Sequence, residues 1–289
     1  MFKRIIVPVW SDIHCGYKYG LMNPKTVLPP MNDREEFHVP EMTATQRTLW
    51  EHSRKDIEFT KKLAGKDEIY LLFMGDIIQG TLLRNQMLVT PRESDQKLIA
   101  IDALKEWFML ENLKAARFIK GTGVHSMDHG SAELEVANFL KKKYGKDVSA
   151  WHHMRLTIGN AVFDIAHHGS NTGSRAWLKG NTLRYYVRSI MVDELQNGER
   201  PPDVVLRGHY HDRTFETVHI HTKKETYKTF GAVCPGYAIF SDDYTLKVTK
   251  AKTYMTSGMI VFEIIDGRIV EIHDKTVTYD VRRRETYER

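Results

Sequence analysis

The sequence is poor in cysteine, with only Cys15 and Cys234 among its 289 residues. Two cysteines exclude the disulfide framework of small secreted proteins, and a reducing cytoplasm is the expected environment. The pair also lacks Cys-x-x-Cys spacing, so a structural zinc ribbon is not expected. Any metal would therefore have to be bound by carboxylates and by the 14 histidines.

Long apolar runs are also missing, since none approaches the roughly 20 residues that a membrane-spanning helix requires. The apolar run at residues 5–10 is too short for a signal peptide and has no small-residue cleavage site, so we interpret it as a strand. Neither sign of charge is in large excess: 42 basic and 37 acidic residues give a net charge of +5. This mild bias is compatible with a phosphate-bearing substrate without requiring nucleic acid.

Apolar patterning predicts alternating strands and helices, followed by antiparallel strands. Nearly continuous apolar runs predict buried strands over 5–10, 68–74 and 203–206, and a Gly159-Asn160 turn predicts a hairpin of 154–158 with 161–166. Helices are expected after a cap at Thr43 and over 94–116, 132–144 and 175–195. Further strands are expected over 116–120, 214–222, 225–230, 245–251, 259–265 and 268–273. This order predicts one domain over residues 1–289, an α/β sandwich whose second sheet is completed by the C-terminal strands.

Aspartate and histidine residues follow four of the predicted strands. The motifs, in chain order, are Asp12-Ile13-His14, Gly75-Asp76, His167-His168-Gly169 and Gly208-His209-Tyr210-His211. The carboxyl ends of parallel strands are where loops converge, and side chains two residues apart on an extended segment point the same way. A mixed set of carboxylates and imidazoles suits Mn²⁺, Fe or Zn²⁺. The four motifs together predict a metal site.

Single motifs carry little weight, because 14 histidines would form about 0.7 His-x-His pairs by chance. A second such pair, His219-Ile220-His221, lies within a predicted strand and is interpreted as solvent-facing. His152 and His153 are assigned to the surface or to packing. The order of the four motifs is the stronger signal.

In these motifs the sequence resembles the calcineurin-like metallophosphoesterase superfamily, over roughly residues 5–215. The resemblance implies a four-layer α/β/β/α sandwich and two divalent ions bridged by an aspartate and by a hydroxide that attacks phosphorus in line. It implies that Asp12, His14 and His211 hold the first ion and that Asp76 bridges. It implies that His168 and His209 hold the second ion, with His168 preferred over His167 because Gly169 follows it.

The third motif departs from the family pattern of Gly-Asn-His, in which Asn binds the second ion and His protonates the leaving oxygen. Here the segment reads Gly121-Thr122-Gly123-Val124-His125, so Thr122, a weaker ligand, stands in place of Asn. We predict that His125 is the general acid or a replacement ligand, with His129 as the alternative. The competing interpretation is that His125 is merely an exposed loop residue. The Gly-Thr-x-x-His variant resembles phage and bacterial phosphoesterase-like sequences, which points to a viral or prophage origin.

Several side chains near the motifs are candidates for contacting substrate. Arg84 and Arg92 follow Gly75-Asp76 and could reach a phosphate or lie on the surface, whereas Arg207 could simply pair with a carboxylate. Residues 17–19, Tyr-Lys-Tyr, could line the cleft rim, where aromatic rings can stack on a base.

The sequence therefore predicts a metal-dependent phosphoesterase that uses two divalent ions, with Mn²⁺ expected and Fe or Zn²⁺ as alternatives. The positive charge and the long loops favour phosphodiesters, either nucleotides or nucleic acids, and no membrane partner is expected. The alternatives are a phosphomonoesterase of the same fold and an impaired family member that serves as a binding scaffold. A metallo-β-lactamase-type hydrolase is set aside because residues 208–213 lack the His-x-His-x-Asp-His run.

Overall fold

The computed structural model describes residues 4–32, 36–82, 87–125, 131–171, 178–239, 253–280, 282 and 285–286. The helices in these residues are α1 (Ala44–Ala64), α2 (Glu93–Phe108), α3 (Ala132–Tyr144) and α4 (Asn181–Gln196), with a short 3₁₀ turn at Gly123–His125. The strands are β1 (Arg4–Trp10), β2 (Glu68–Phe73), β3 (Leu113–Ile119), β4 (Asp147–Trp151), β5 (His153–Ile158), β6 (Ala161–Ala166), β7 (Val204–Arg207), β8 (Thr214–His221), β9 (Thr226–Val233), β10 (Tyr254–Ser257), β11 (Ile260–Ile265), β12 (Arg268–Asp274) and β13 (Val277–Asp280).

Two large mixed sheets form the framework. The first sheet has the order β12-β11-β1-β2-β3-β4, in which β1 to β4 are parallel and β11 runs antiparallel to β1. The second sheet has the order β5-β6-β7-β9-β8, in which β6, β7 and β9 are parallel. Strands β10 and β13 form a separate pair. The parallel strands at the centre of each sheet bring their following loops to one edge.

Three apolar cores define four layers. Helices α1 to α3 cover the outer face of the first sheet, where Leu49 and Leu104 belong to the same cluster as Trp10 of β1. The two sheets pack on each other through residues such as Phe163 and Phe262, whose rings lie 5.5 Å apart. Helix α4 covers the outer face of the second sheet. The predicted α/β/β/α sandwich is therefore confirmed.

Strand β1 shows why continuous apolar runs predicted buried strands. Ile6 and Trp10 face the helices, whereas Ile5, Val7 and Val9 face the second sheet. Alternate side chains of a strand point to opposite faces, so both faces of this strand must be apolar. The cap predicted at Thr43 is also confirmed, since Thr43 and Gln46 form a reciprocal capping box at the start of α1.

The predicted helix over 94–116 was too long. Helix α2 ends at Phe108, and β3 begins at Leu113 because residues 113–118 pair with β2. Leu113 and Ala116 are buried in this strand, although their positions in the sequence also continue the helical repeat of α2. Pairing with a strand some forty residues earlier in the chain decided their conformation.

The strands predicted over 214–222, 225–230, 259–265 and 268–273 are confirmed as β8, β9, β11 and β12, but the prediction that they complete the second sheet is wrong for β11 and β12. Strand β11 pairs with β1, so it extends the first sheet and not the second. Strands β4, β10 and β13 were not predicted, and the strand expected over 245–251 lies outside the described residues. None of the described helices has the length and apolarity needed to cross a membrane.

Candidate metal centre

The loops that follow β1, β2, β3, β6 and β7 meet at the carboxyl edge of the parallel strands. Backbone hydrogen bonds join neighbouring loops: Asp12 N donates to Gly75 O at 2.9 Å, and His14 N donates to Asp76 O at 3.1 Å. Gly208 N donates to His167 O at 2.9 Å in the same way. These bonds hold the polar side chains of separate strands in one place.

Two clusters of candidate metal ligands lie at this edge. The first cluster is Asp12, His14 and His211, and the second cluster is His167, His168 and His209. Asp76 belongs to two further groups, one with His14 and His125 and one with Asp12 and His167. In each group the ligand atoms lie within 4.8 Å of one another. Asp76 thus stands between the two clusters.

The chemistry of these donors fits divalent cations. In the first cluster, His14 Nε2 and His211 Nε2 face each other at 3.1 Å, and His211 Nε2 lies 3.3 Å from Asp12 Oδ1. Between the clusters, His167 Nε2 lies 3.0 Å from Asp76 Oδ2. Imidazole nitrogens and carboxylate oxygens converging at such distances are the donor set that Mn²⁺, Fe and Zn²⁺ prefer.

Backbone strain is concentrated at the same residues. Six non-glycine residues of the described chain have positive φ, and the site residues among them are Asp12, His14, Asp76, His209 and His211, with φ between 41° and 74°. Left-handed backbone is unfavourable for residues with a Cβ and is typical of functional sites. Gly121 allows a close approach, because a Cβ there would lie 2.1 Å from Asp76 Oδ1. The fold thus holds these residues in a strained backbone conformation that directs their side chains into the site.

Both buried aspartates are held in the ionised form. Burial opposes ionisation of Asp12, but His211 and the Ser11 hydroxyl are among the groups that outweigh it and lower its pKa to about 2. For Asp76, burial is likewise outweighed by a hydrogen bond and positive charge from His167, which hold the pKa well below its usual range. Two buried negative charges at one edge attract cations.

The histidines respond to the same crowding in opposite ways. Burial and the neighbouring histidines lower the pKa of His14 well below its usual value, and burial also lowers the pKa of His168 and His209. Burial opposes the charge on His167 too, but its hydrogen bond with Asp76 raises its pKa to about 9. A cation binding between these two residues would compete with that proton, so binding should release protons.

His167 takes a more central position than the sequence predicted. Its Nδ1 donates to Met74 O at 2.5 Å, which directs Nε2 at Asp76, and the residue is 1% exposed. His168, the predicted ligand, is exposed but also belongs to the second cluster. The local sequence does not show which of two adjacent histidines points into the site, because the carbonyl that orients His167 belongs to Met74 at the end of β2.

The loop after β3 reaches the site and carries His125, for which the sequence predicted the role of general acid or replacement ligand. His125 Nδ1 donates to Gln79 O at 2.6 Å, so Nε2 faces the cluster, 3.8 Å from Asp76 Oδ2. Its side chain is 11% exposed, so it is not a freely solvated loop residue. Thr122 N donates to Asp76 Oδ1 at 2.6 Å. His129 lies outside the described residues.

Sequence reasoning missed residues 234–239, which we call the backing segment. Ala238 N donates to Asp12 O at 2.9 Å, and His211 Nδ1 donates to Ala238 O at 3.1 Å. The Tyr237 hydroxyl donates to the buried carboxylate of Asp56 on α1. The segment therefore orients two members of the first cluster, and its apolar composition gave no sign of this role.

Several residues suggested for substrate binding have structural roles instead. Arg92 donates to the carbonyls of Pro29 and Pro30 and pairs with Asp95. Arg207 is 1% exposed and pairs with Asp164 at 2.5 Å, so the interpretation that it pairs with a carboxylate is confirmed. Arg84 lies outside the described residues.

The remaining candidates divide by exposure. Tyr17 is buried and cannot line a rim, whereas Lys18 and Tyr19 are partly exposed. His219 and His221 are exposed on β8, as predicted, and His152 and His153 are exposed as well. Tyr210, which was not singled out, is 39% exposed and packs against the ring of His209 at 4.9 Å.

No protein-family model matches the chain, and no match is found among curated proteins. Among solved structures, the chain aligns with an archaeal phosphodiesterase at 15% identity and a TM-score of 0.38, over 90% of this chain and 99% of that chain. It also aligns with a predicted phosphoesterase from Streptococcus pneumoniae at 10% identity and a TM-score of 0.33, over 97% of this chain and 99% of that chain. The site's own geometry is thus the basis for a functional proposal.

Proposed function

We propose that this protein is a phosphoesterase that depends on two divalent metal ions and hydrolyses phosphate esters, with phosphodiesters of nucleotides or nucleic acids as its preferred substrates. The observation that carries the proposal is the position of Asp76, an ionised carboxylate between two clusters of carboxylate and imidazole donors. A carboxylate shared in this way can serve two cations at once.

The ligand assignment follows the clusters. Asp12, His14 and His211 would hold one ion, Asp76 would be shared, and the other ion would be held by the second cluster. In the second cluster we retain His168 and His209 and add His167, because its Nε2 points at Asp76. Divalent cations bound there, Mn²⁺ being the expected one, would supply Lewis-acid activation of water and of the phosphoryl oxygens.

His125 is placed to act as the general acid. Because its Nδ1–H is engaged by the Gln79 carbonyl, Nε2 is the nitrogen that can deliver a proton to a leaving oxygen. The same hydrogen bond fixes the plane of the ring, so the proton donor is oriented before substrate arrives. A ligand role for His125 is the alternative, since it shares a group with His14 and Asp76.

The preference for diesters is supported by the surroundings of the site. Tyr210 beside His209, together with Tyr19, offers partly exposed rings on which a base could stack, and Lys18 offers a positive charge to a second phosphate. Cys15 and Cys234 are both free and buried, which supports a reducing cytoplasmic location.

The proposal is tested by loading the protein with Mn²⁺ and measuring metal content and hydrolysis together. Bis(4-nitrophenyl) phosphate, 4-nitrophenyl phosphate, and labelled DNA and RNA separate diesterase from monoesterase activity. We expect about two ions per chain and faster turnover of the diesters. Failure to bind any ion would exclude the proposal, and two bound ions without turnover of any ester would favour a binding scaffold.

Asp76→Asn is the matched variant for this test. An amide cannot supply the negative charge that two cations share, so hydrolysis should fall by about 100-fold or more while the circular dichroism spectrum is retained. His221→Ala, which removes an exposed histidine of β8, is the control and should change almost nothing. Wild-type turnover in Asp76→Asn would show that Asp76 is not the shared ligand.

A further inference from the structure

We propose that the Thr122 hydroxyl is a metal ligand that completes the second cluster, adding one oxygen to the imidazoles of His167, His168 and His209. The inference rests on the proposed function in one respect, that this cluster binds a divalent cation. It concerns the residue itself and not the reaction, so it can be tested by metal binding alone.

The hydroxyl lies at nearly equal distances from all three imidazoles. Thr122 Oγ1 is 3.3 Å from His167 Nε2, 3.5 Å from His168 Nε2 and 3.2 Å from His209 Nδ1. It is also 3.3 Å from Asp76 Oδ2. A hydroxyl has one hydrogen and two lone pairs, so it cannot satisfy four neighbours by hydrogen bonding.

The spacing is that of a coordination shell. A tetrahedral ion with bonds of about 2.0–2.1 Å separates its ligand atoms by about 3.4 Å. The three oxygen-to-nitrogen distances, 3.2–3.5 Å, lie around this value. Ordinary hydrogen bonds to nitrogen would be shorter, with a usual distance of about 2.9–3.0 Å. The hydroxyl therefore sits where a fourth ligand would sit.

Backbone contacts hold the residue in place independently of its side chain. Thr122 N donates to Asp76 Oδ1 at 2.6 Å, and Thr122 O accepts from His125 N at 3.0 Å. Both bonds use backbone atoms, so valine, serine and alanine at this position keep them. Replacing this partly exposed threonine therefore changes the hydroxyl and leaves the backbone contacts in place.

The chemistry of a hydroxyl sets the expected behaviour of the second ion. A neutral oxygen is a weaker ligand than a carboxylate, and threonine hydroxyls are known ligands of Mg²⁺ in phosphate-binding loops. The second ion should therefore bind more weakly than the first. The second cluster should also accept hard ions such as Mn²⁺ more readily than an all-imidazole site would.

Titration calorimetry with Mn²⁺ on the full chain tests the inference. Wild type should show a tight and a weaker site. Thr122→Val, which keeps the shape and removes the hydroxyl, should raise the Kd of the weaker site by about 10–100-fold and leave the tighter one unchanged. Thr122→Ser should bind as wild type does. Thr229→Val is the control, because its buried hydroxyl donates to Pro202 O, beside the amino end of β7.

Each outcome decides the matter. If Thr122→Val binds both ions as wild type does, the hydroxyl is not a ligand. If wild type binds a single ion, the inference fails together with the two-ion part of the proposed function. If the variant loses only the weaker ion while wild type hydrolyses no ester, Thr122 is a ligand and the proposed activity is wrong. Thr122→Ala provides the same comparison if the valine variant does not fold.

Discussion

Asp76 shows how a single residue can lie between two clusters of candidate ligands. It follows β2, whose apolar side chains are buried, and a φ of 52° turns its carboxylate towards both clusters. The Nε2 atoms of His14, His125 and His167 lie 3.9, 3.8 and 3.0 Å from its Oδ2. A longer carboxylate would displace these neighbours, because Asp76 is already packed against Gly121 and the backbone of Thr122.

His125 is the residue whose role kinetics can define most sharply. If it donates a proton, His125→Ala should slow the cleavage of a dinucleotide by about 10²–10⁴-fold. The effect on bis(4-nitrophenyl) phosphate should be much smaller, because nitrophenolate leaves without protonation. The measurement is the turnover of both substrates at saturating Mn²⁺, together with metal content.

The same experiment distinguishes the alternative roles of His125. A lower metal content with equal losses on both substrates would make His125 a ligand. Normal metal content and unchanged rates would show that it has neither role. His219→Ala, another histidine replacement on an exposed face, should leave all three quantities at their wild-type values.

Among the structural elements, the backing segment connects the first cluster to α1. Tyr237 packs on Trp10 with ring centroids 4.6 Å apart, and its hydroxyl donates to Asp56. Burial is the main cause that raises the pKa of Asp56 to about 7, against the Tyr237 hydrogen bond and the charge of Lys275. The carboxyl group therefore titrates near neutrality in the folded protein.

This contact predicts a pH dependence of stability. Between pH 3.8 and about 7, folded Asp56 keeps a proton that the unfolded chain releases, so the free energy of unfolding falls as the pH rises through that window. The loss is on the order of 4 kcal/mol at most, at 1.36 kcal/mol per pKa unit. Asp56→Asn, which keeps an acceptor for Tyr237, should match wild type at the acid end of the window and be more stable at pH 8.

Urea unfolding from pH 5 to pH 8 measures this difference between wild type and Asp56→Asn. The difference between the two proteins should grow with pH, because the titration of groups that the substitution leaves unchanged cancels in the comparison. Glu51→Gln on the exposed face of the same helix should give a constant difference. A constant difference for Asp56→Asn would show that the carboxylate is ionised in the folded protein throughout.

At the scale of the whole molecule, metal binding and folding should be coupled. The first cluster takes Asp12 and His14 from a loop of the first sheet and His211 from a loop of the second, so a cation there would join loops that are otherwise held by hydrogen bonds and apolar packing. A ligand at 100 times its Kd adds about 2.7 kcal/mol to stability if it binds the native state alone. Saturating Mn²⁺ should therefore raise the Tm by about 5 °C or more over chelator-treated protein.

Thermal melts with Mn²⁺ and with EDTA test this coupling. Asp76→Asn should show a smaller difference between the two conditions than wild type, because both ions lose a shared ligand. Equal Tm values for wild-type protein with and without Mn²⁺ would contradict a metal centre that ties the two sheets together.

The sequence alone determined the features that depend on local patterns. Apolar runs located the buried strands, the cap predicted at Thr43 located the start of α1, and the order of the Asp and His motifs placed polar residues at strand ends. These features predicted an α/β sandwich, and the family resemblance implied its four layers; the structure brings Asp12, His14, Asp76, His209 and His211 to one edge. Such predictions succeed because strand burial and helix capping depend on residues that are close together in the chain.

The tertiary structure decided everything that depends on partners far away in the chain. The end of α2 was set by the pairing of β3 with β2, and the sheet that contains β11 was set by its pairing with β1. The central position of His167 depends on the Met74 carbonyl, 93 residues earlier in the chain. The support that residues 234–239 give to Asp12 and His211 likewise joins distant segments. These choices could not be predicted because the contacts that determine them exist only once both sheets have formed.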